Sequence, residues 1–301
     1  METPPPFIRE GEGLASHVRF RVGGPADFFC VAHDLDMLQE AVTFAKNKHI
    51  PSFILGEGSN LVVQDGGIRG IVIRLGKGFK EIRIEGEKLY AGCAAKLPRV
   101  CHHAARKGLQ GLEGLVGIPG TVGGAVIMNA GAGESAACNA LESLTVLEKG
   151  GGVRKLGRED FLFSYRKFQW VDGTPLHERI LLEACWRLQP ASSALLTETI
   201  KKALALRKKT QPIAAASAGC VFKNPGSQTS AGRLIDEAGL KGMSIGDAVI
   251  SQQHANFIVN KGNACARDIL ALMAQVEKTI LHTHGISLER EVCVVGETDC
   301  K

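Results

Sequence analysis

Two glycine-rich turns carry the residues best suited to gripping an anion. The longer one, Gly117-Ile-Pro-Gly-Thr-Val-Gly-Gly-Ala-Val-Ile-Met-Asn-Ala-Gly-Ala-Gly133, puts six glycines into seventeen residues. Glycine costs backbone entropy, so this density marks positive φ or a main chain that something approaches closely. Ile118, Val122, Val126, Ile127 and Met128 lie between the glycines and are apolar, whereas a flexible linker is polar and Gly/Ser-rich. A glycine turn entering an apolar segment offers N–H groups to an anion such as a pyrophosphate. A tight turn at a sheet corner is the structural alternative. The shorter turn, Gly56-Glu-Gly-Ser-Asn60, closes the strand pattern Phe53-Ile-Leu55. It is not a dinucleotide fingerprint, because no third glycine opens a helix and Leu61-Val-Val63 continues as strand. Its amides, the Ser59 hydroxyl and the Asn60 amide suit phosphate oxygens, although turns of this composition also serve purely structural ends.

Other reactive side chains give weaker signals. Nine cysteines are scattered without a C-x-x-C pair, so neither a zinc site nor a disulfide framework is expected, and reduced thiols are the default. His102 and His103 are adjacent on a helical pattern and point in different directions, which argues against a shared metal. The basic run Arg207-Lys-Lys209 suits a solvated helix end, with a diphosphate contact as the alternative. His254, in Gln-Gln-His-Ala-Asn, reads equally as a ligand contact or a surface or strand-edge residue. The formal charge of +5 from 36 basic and 31 acidic residues fits an anionic small substrate better than nucleic acid, which calls for a concentrated basic stripe. The opening Met-Glu-Thr-Pro-Pro-Pro lacks leader features and no long apolar run follows. A soluble, cytoplasmic protein without membrane or nucleic-acid partners is expected.

The elements that must position these groups form a mixed α and β pattern. Residues 1–15 read as a tail. A short strand pattern from His17 is broken by Gly23-Gly-Pro25, and Phe28–Ala32, a helix capped by Asp34 or Asp36, and Phe53–Leu55 form a strand–helix–strand unit with parallel strands. Short strands and a hairpin at Gly86 lead to a helix over 96–107. After the long glycine stretch come a hairpin around Gly150-Gly-Gly152, the aromatic patch Phe161–Trp170 and a strand over 180–188. Pro190-Ala-Ser-Ser marks a boundary. Beyond it lie a helix over 195–206, a strand over 217–225, a short helix over 231–238, strands over 248–251 and 256–260, a long helix over 264–284 and a terminal strand over 287–295.

Six motifs in order resemble the UDP-N-acetylenolpyruvoylglucosamine reductase family (MurB). They are Phe20-Arg-Val-Gly-Gly-Pro-Ala-Asp27, Gly56-Glu-Gly-Ser-Asn-Leu61, Gly117–Ala125 with Asn129-Ala-Gly131, Tyr165-Arg166, Gly219-Cys-Val-Phe-Lys-Asn-Pro225 and Leu288-Glu-Arg-Glu-Val292. The resemblance implies an α+β protein with an FAD-binding module of the vanillyl-alcohol-oxidase (PCMH) type over 16–190. A smaller C-terminal α/β substrate domain over 196–298 follows. It also implies non-covalent FAD bound by Arg21, Gly56, Gly58, Ser59, Asn60, Leu61, Ile118, Gly120, Thr121, Gly123 and Gly124, with NADPH as co-substrate and a UDP-sugar as substrate. No metal and no obligatory protein partner are implied. The short chain is similar to the subclass lacking an extra substrate-covering loop.

In that family NADPH reduces the flavin, which passes hydride to the β-carbon of an enolpyruvyl ether on UDP-N-acetylglucosamine, giving UDP-N-acetylmuramate for peptidoglycan. Charge developing on the α-carbon and its carboxylate calls for a cation and an acid. By resemblance these are Arg166 and Glu291. The α-carbon needs a proton donor, usually a serine in the family, and this chain has Cys220 there. A thiol with a pKa near 8.5 is a better acid than an alcohol, provided neighbouring cations such as Arg166 or Lys223 do not hold it as thiolate. Ser217 is the alternative donor, and Glu289 rivals Glu291 because the two share a strand face. Tyr165, Lys223, Asn224 and His254 are the substrate-binding candidates. An FAD-dependent oxidase of an alcohol or hydroxy acid would explain the glycine turns but not Arg166, Cys220 and Glu291. A nucleotide-binding regulator without catalysis is the remaining alternative.

Overall fold

The computed structural model describes residues 3–133, 135–226 and 229–298. Contacts divide the chain into two compact units. The first comprises Met1–Arg9, Phe29–Gly56 and Ile71–Leu206, and the second Glu10–Phe28, Glu57–Gly70 and Arg207–Lys301. Each unit is assembled from segments that are far apart in the sequence. The reason lies in the second unit, where Leu61–Val63 pairs in parallel with Cys293–Val295 in the register Leu61↔Cys293, Val62↔Val294, Val63↔Val295.

The first unit is built on an antiparallel sheet in the order Val153–Gly157, Leu141–Glu148, Arg179–Arg187, Lys88–Gly92, Ile82–Glu85. Its strands carry the apolar run Arg-Ile-Leu-Leu-Glu-Ala-Cys-Trp-Arg and the alternating Leu-Glu-Ser-Leu-Thr-Val-Leu-Glu. Register shifts between Leu141 and Ser143 and between Thr145 and Val146 break that alternation, as a β-bulge does. Helix α1 (Leu35–Asn47) starts at Asp34, whose carboxylate accepts the Met37 N–H. Helix α2 (Leu97–Arg106) buries Leu97, Val100, Cys101 and Ala104, the face its spacing predicts. The core closes on Trp186, fully buried, with its indole N–H donating to Ala137 O at 2.7 Å. The long glycine stretch is not a sheet corner. It enters a short helix, α3 (Val122–Ile127), capped by Thr121.

The second unit gathers Phe20, Val62, Val221, Phe222, Ile250, Ile258 and the apolar stripe Ile269, Leu272, Met273, Val276, Ile280. That stripe belongs to α6 (Ala266–His284) and follows the i, i+3, i+4, i+7 rule. Gly285 ends the helix in the left-handed region at φ +67°. Helices α4 (Ser193–Thr210) and α5 (Ala231–Glu237) complete the helical set named here. The strands Ala248–Ile250 and Ile258–Asn260 pair antiparallel.

Four expectations from the sequence are corrected. Arg9–Gly13 is a strand and Leu14–His17 a short helical turn, not a tail, because Leu14 is fully buried. Residues 18–24 turn rather than extend, with Arg21 at φ +58° and Gly23 at φ +120°. Residues 217–225 form a loop rather than a strand, with one isolated bridge, Phe222↔Arg290. Of 287–295, only Cys293–Val295 is strand, so Glu289 and Glu291 do not share a strand face. Among the described residues, no helix is long and apolar enough to cross a membrane and no cluster of His, Cys, Asp or Glu could hold a metal.

The start of α6 is fixed by a carboxylate from far earlier in the chain. Asp65 accepts the N–H groups of Ala266 at 2.8 Å and Arg267 at 3.0 Å, where a negative charge also meets the helix dipole. Asp65→Ala is expected to lower stability by about 1–2 kcal/mol, read from the urea unfolding midpoint. An unchanged midpoint would show that the cap contributes nothing.

Candidate functional site

In the first unit the glycine positions converge. A Cβ at Gly56 would lie 2.7 Å from the Thr121 hydroxyl oxygen, closer than packing allows, and one at Gly124 would lie 3.7 Å from the same oxygen. Gly56, Thr121 and Gly124 thus form a tight cradle of glycine main chain around one hydroxyl, where a side chain at Gly56 would collide. The expected array of bare amides is only partly present, because Val122 N–H donates to Ala95 O and Gly123 N–H to Cys93 O. Gly123 is close-packed on Cys93, with a Cβ position 3.2 Å from the Cys93 Cβ. Gly120 sits at φ +124° and its carbonyl accepts the Leu97 N–H. Ile118 is half-buried and packs on the core cluster.

The same segment runs on to an arginine. Strands Phe161–Ser164 and Lys167–Trp170 form a hairpin closed by the pair Ser164↔Lys167, with Tyr165 and Arg166 at its tip. Arg166 has φ +56°, a strained backbone for an arginine. Its guanidinium donates to Gly131 O at 3.0 Å and Asn129 O at 3.5 Å and lies 5.0 Å from the Tyr165 ring centroid. Tyr165 is exposed.

In the second unit the loop of Cys220 is pinned on both sides by the main chain. Val221 N–H donates to Asn256 O, and Val221 O accepts from Glu291 N–H at 2.8 Å and Val292 N–H at 3.4 Å. The Asn256 side chain accepts from Phe222 N–H and donates to Phe222 O. Lys223 N–H donates to Glu289 O. Cys220 and Glu291 are therefore brought together on adjoining segments. Asn60 joins them, because its side-chain N–H donates to Glu291 O at 3.0 Å and its carbonyl accepts the Cys293 N–H. Gly58 is required for packing, since a Cβ there would meet Val18 at 2.6 Å. Ser59 belongs to the same turn, and Leu61 begins the strand paired with Cys293. Arg21 is exposed.

Cys220 opens on a cavity of about 670 Å³ whose wall includes Asn224, Arg233, Lys241, His254 and Asn256. Arg233 is paired with Glu237 and Lys241 with Asp236, so the cations here are balanced by carboxylates of the same wall. His254 packs edge-on to Phe257 at 4.8 Å. Burial first, and then Lys241, push its pKa below the ordinary histidine value, which keeps it neutral at pH 7. Asn224 accepts the Ala231 N–H at the start of α5. Lys223 is ion-paired with the exposed Glu289. Ser217, the alternative donor, is buried and is not among the cavity-lining residues.

Two asparagines, one in each unit, hold the chain around candidate residues, although the sequence assigns neither a role. Asn256 and Asn129 are both buried, and a buried amide must find hydrogen bonds. The signal available in sequence is a polar residue inside an apolar run, as in Ala255-Asn-Phe257.

Comparison with known proteins is decisive. The chain is 42% identical over 292 residues to UDP-N-acetylenolpyruvoylglucosamine reductase 2 of Symbiobacterium thermophilum, covering 97% of this chain and 93% of that protein. It is 42% identical to the reductase of Heliobacterium modesticaldum, over 95% of this chain and 90% of that one. The chain belongs to the UDP-N-acetylenolpyruvoylglucosamine reductase family. Residues 26–157 match the FAD binding domain model, and 211–295 match the C-terminal domain model of the reductases. The crystal structure of the MurB reductase from Thermus caldophilus superimposes with a TM-score of 0.82 at 37% identity, covering 96% of this chain and 99% of that one. The fold is thus the expected α+β combination of a PCMH-type FAD module with a reductase C-terminal domain. Gly56, Thr121 and Gly124 bring glycine main chain against a hydroxyl within the stretch matched by the FAD binding domain model, a donor chemistry that suits a diphosphate.

The thiols divide sharply. Burial pushes Cys30, Cys101 and Cys138 up to about 12, so at pH 8 only roughly one part in ten thousand of each is thiolate. Cys220 is half-buried on the cavity wall. Iodoacetamide at pH 8 is expected to label Cys220 at least about a hundredfold faster than these three, read by peptide mass spectrometry. Equal rates would mean that the loop seals Cys220 from solvent.

Proposed function

We infer that the protein is a flavin-dependent UDP-N-acetylenolpyruvoylglucosamine reductase, forming UDP-N-acetylmuramate for peptidoglycan precursors. The observation that carries this is the match to reductases over nearly the whole of both chains at 42% identity. When bound, FAD supplies the hydride for the enolpyruvyl double bond, with NADPH as the reductant that restores it.

The chain's own residues have three tasks. As hydride reaches the β-carbon, negative charge gathers on the α-carbon and its carboxylate, and preorganised donors stabilise it. We assign Arg166 to that carboxylate, since its guanidinium is already oriented by the carbonyls of Asn129 and Gly131. Glu291, on the segment that adjoins Cys220, is assigned as the partner acid. Cys220 Sγ is assigned to deliver the proton to the α-carbon. Tyr165, Lys223, Asn224 and His254 are assigned to the sugar nucleotide. Supporting this, Asn224 and His254 line the cavity beside Cys220.

FAD is assigned to Arg21, Gly56, Gly58, Ser59, Asn60, Leu61, Ile118, Gly120, Thr121, Gly123 and Gly124. The functional division proposed is a cofactor part over 16–190 and a substrate part over 196–298. Segments 10–28 and 57–70 fold with the latter. NADPH and the UDP-sugar suffice as partners in this reading, without an obligatory protein partner. The reaction is placed in the cytoplasm, where free thiols persist. An FAD-dependent alcohol or hydroxy acid oxidase would leave the Cys220 and Glu291 segments unexplained.

The test is spectroscopic. Protein purified with FAD should be yellow, bleach with NADPH without oxygen, and recover its colour on adding the enolpyruvyl sugar nucleotide. Failure of the sugar nucleotide to restore the colour would overturn the reading. Cys220→Ala should slow that recovery by about 10²–10⁴-fold with little effect on bleaching. A donor must be protonated, so activity falls as pH rises through the thiol pKa. Cys220→Ser should remove this alkaline limb, and its persistence would assign the proton to another group.

A further inference from the structure

We propose that Asn129 is the positioning residue for Arg166, an inference that rests on the reductase reading above. Asn129 lies just after α3, is 5% exposed and has φ +37°. Both poles of its amide are committed to backbone. Nδ2 donates to Ser164 O at 2.9 Å, and Oδ1 accepts the Cys138 N–H at 3.1 Å. Ser164 is the last residue of the first hairpin strand and immediately precedes Tyr165 and Arg166. The side chain of Asn129 therefore holds the base of the turn. Its own carbonyl, with that of Gly131, accepts from the guanidinium at the tip.

This is a grip at two points on one turn. It matters because Arg166 is in the left-handed region at φ +56°, which a loosened hairpin would release. The residue type is specific. Asparagine tolerates positive φ and carries a donor and an acceptor on one planar group. Aspartate keeps the shape and the acceptor but sets a second acceptor against Ser164 O. Glycine keeps the backbone and loses both contacts. Gly131 adds rigidity, since a Cβ there would lie 2.5 Å from Ser135 O. One continuous segment, from Gly117 to Gly131, thus shapes the cradle at Thr121 and Gly124 and aims the arginine.

The test uses Asn129→Asp and Asn129→Gly in the FAD-loaded protein. Bleaching by NADPH should stay within about twofold of wild type, while recovery of colour with the enolpyruvyl sugar nucleotide slows about 10- to 100-fold, the scale set by misplacing a group by an ångström or less. In an Arg166→Lys background, Asn129→Asp should add less than about twofold, because both changes act through one group. Independently of turnover, isotope-labelled arginine should give a slowly exchanging Arg166 guanidinium signal in wild type that Asn129→Asp abolishes. Equal slowing of both half-reactions, or multiplicative effects in the double variant, would make Asn129 a general fold residue and overturn the proposal. An unchanged Arg166 signal would overturn it too. Loss of that signal in a protein whose wild type ignores the sugar nucleotide would sink the reductase reading and leave the positioning role standing.

Discussion

The carbonyl of Val221 is the point on which the arrangement of the Cys220 loop depends. It accepts the N–H groups of Glu291 and Val292, while Val221 N–H and both backbone groups of Phe222 are taken up by Asn256. No regular strand would place Cys220 this way, because a strand would alternate its side chains and continue past Gly219, which is at φ +78°. The loop obtains its rigidity from hydrogen bonds to buried partners instead. A buried donor or acceptor left without a partner costs about 1–3 kcal/mol, so each of these contacts penalises any rearrangement that breaks it. The loop is thereby held in one conformation, although it has no repeating ladder of backbone hydrogen bonds and Gly219 leaves it intrinsically pliable.

The cavity beside this loop shows a second constraint, the balancing of charge. Arg233 and Lys241 both line this cavity, and each is paired with an acid one helical turn or one loop away. Exposed pairs of this kind contribute only about 0–1 kcal/mol, so they neutralise the wall without stabilising it much. His254 stands on the same wall with its pKa lowered, first by burial and then by Lys241, and so brings a ring to the wall without bringing a further positive charge.

What is legible in the sequence follows from which interactions are local. Helices α1, α2 and α6 appear near their expected ends because apolar spacing and caps such as Asp34 and Gly285 act within a few residues. The hairpin around Gly150-Gly-Gly152 likewise carries its turn chemistry in the chain itself. The region 217–224 reads as strand because Val221 and Phe222 are apolar and buried, and burial alone cannot distinguish a strand from a loop pinned by a distant asparagine. The division of the chain is hidden for the same reason, since no local pattern announces that Leu61–Val63 pairs with Cys293–Val295. Of the candidate site residues, Cys220, Glu291 and Asn60 meet on adjoining segments. The ordered motifs point to each of them, while the contacts that join them are invisible to periodicity.

The glycines divide by function along the same line. Gly58 and Gly67 are glycine because neighbouring chain lies where a Cβ would be, 2.6 Å from Val18 and 1.9 Å from Pro25 O respectively. Gly56 faces the Thr121 hydroxyl instead, 2.7 Å from where its Cβ would be, and Gly124 faces the same oxygen at 3.7 Å. The motif Gly56-Glu-Gly-Ser-Asn-Leu61 is therefore not one device. Its first glycine shapes the cradle, its second lets the turn pack on Val18, and its asparagine fastens the Glu291 segment. Spacing within such a motif is fixed because three different neighbours, each supplied by a different part of the chain, must be met in five successive residues. A substitution at any one position would be felt through a separate contact, which is why glycine density alone could not separate an anion cradle from a tight turn.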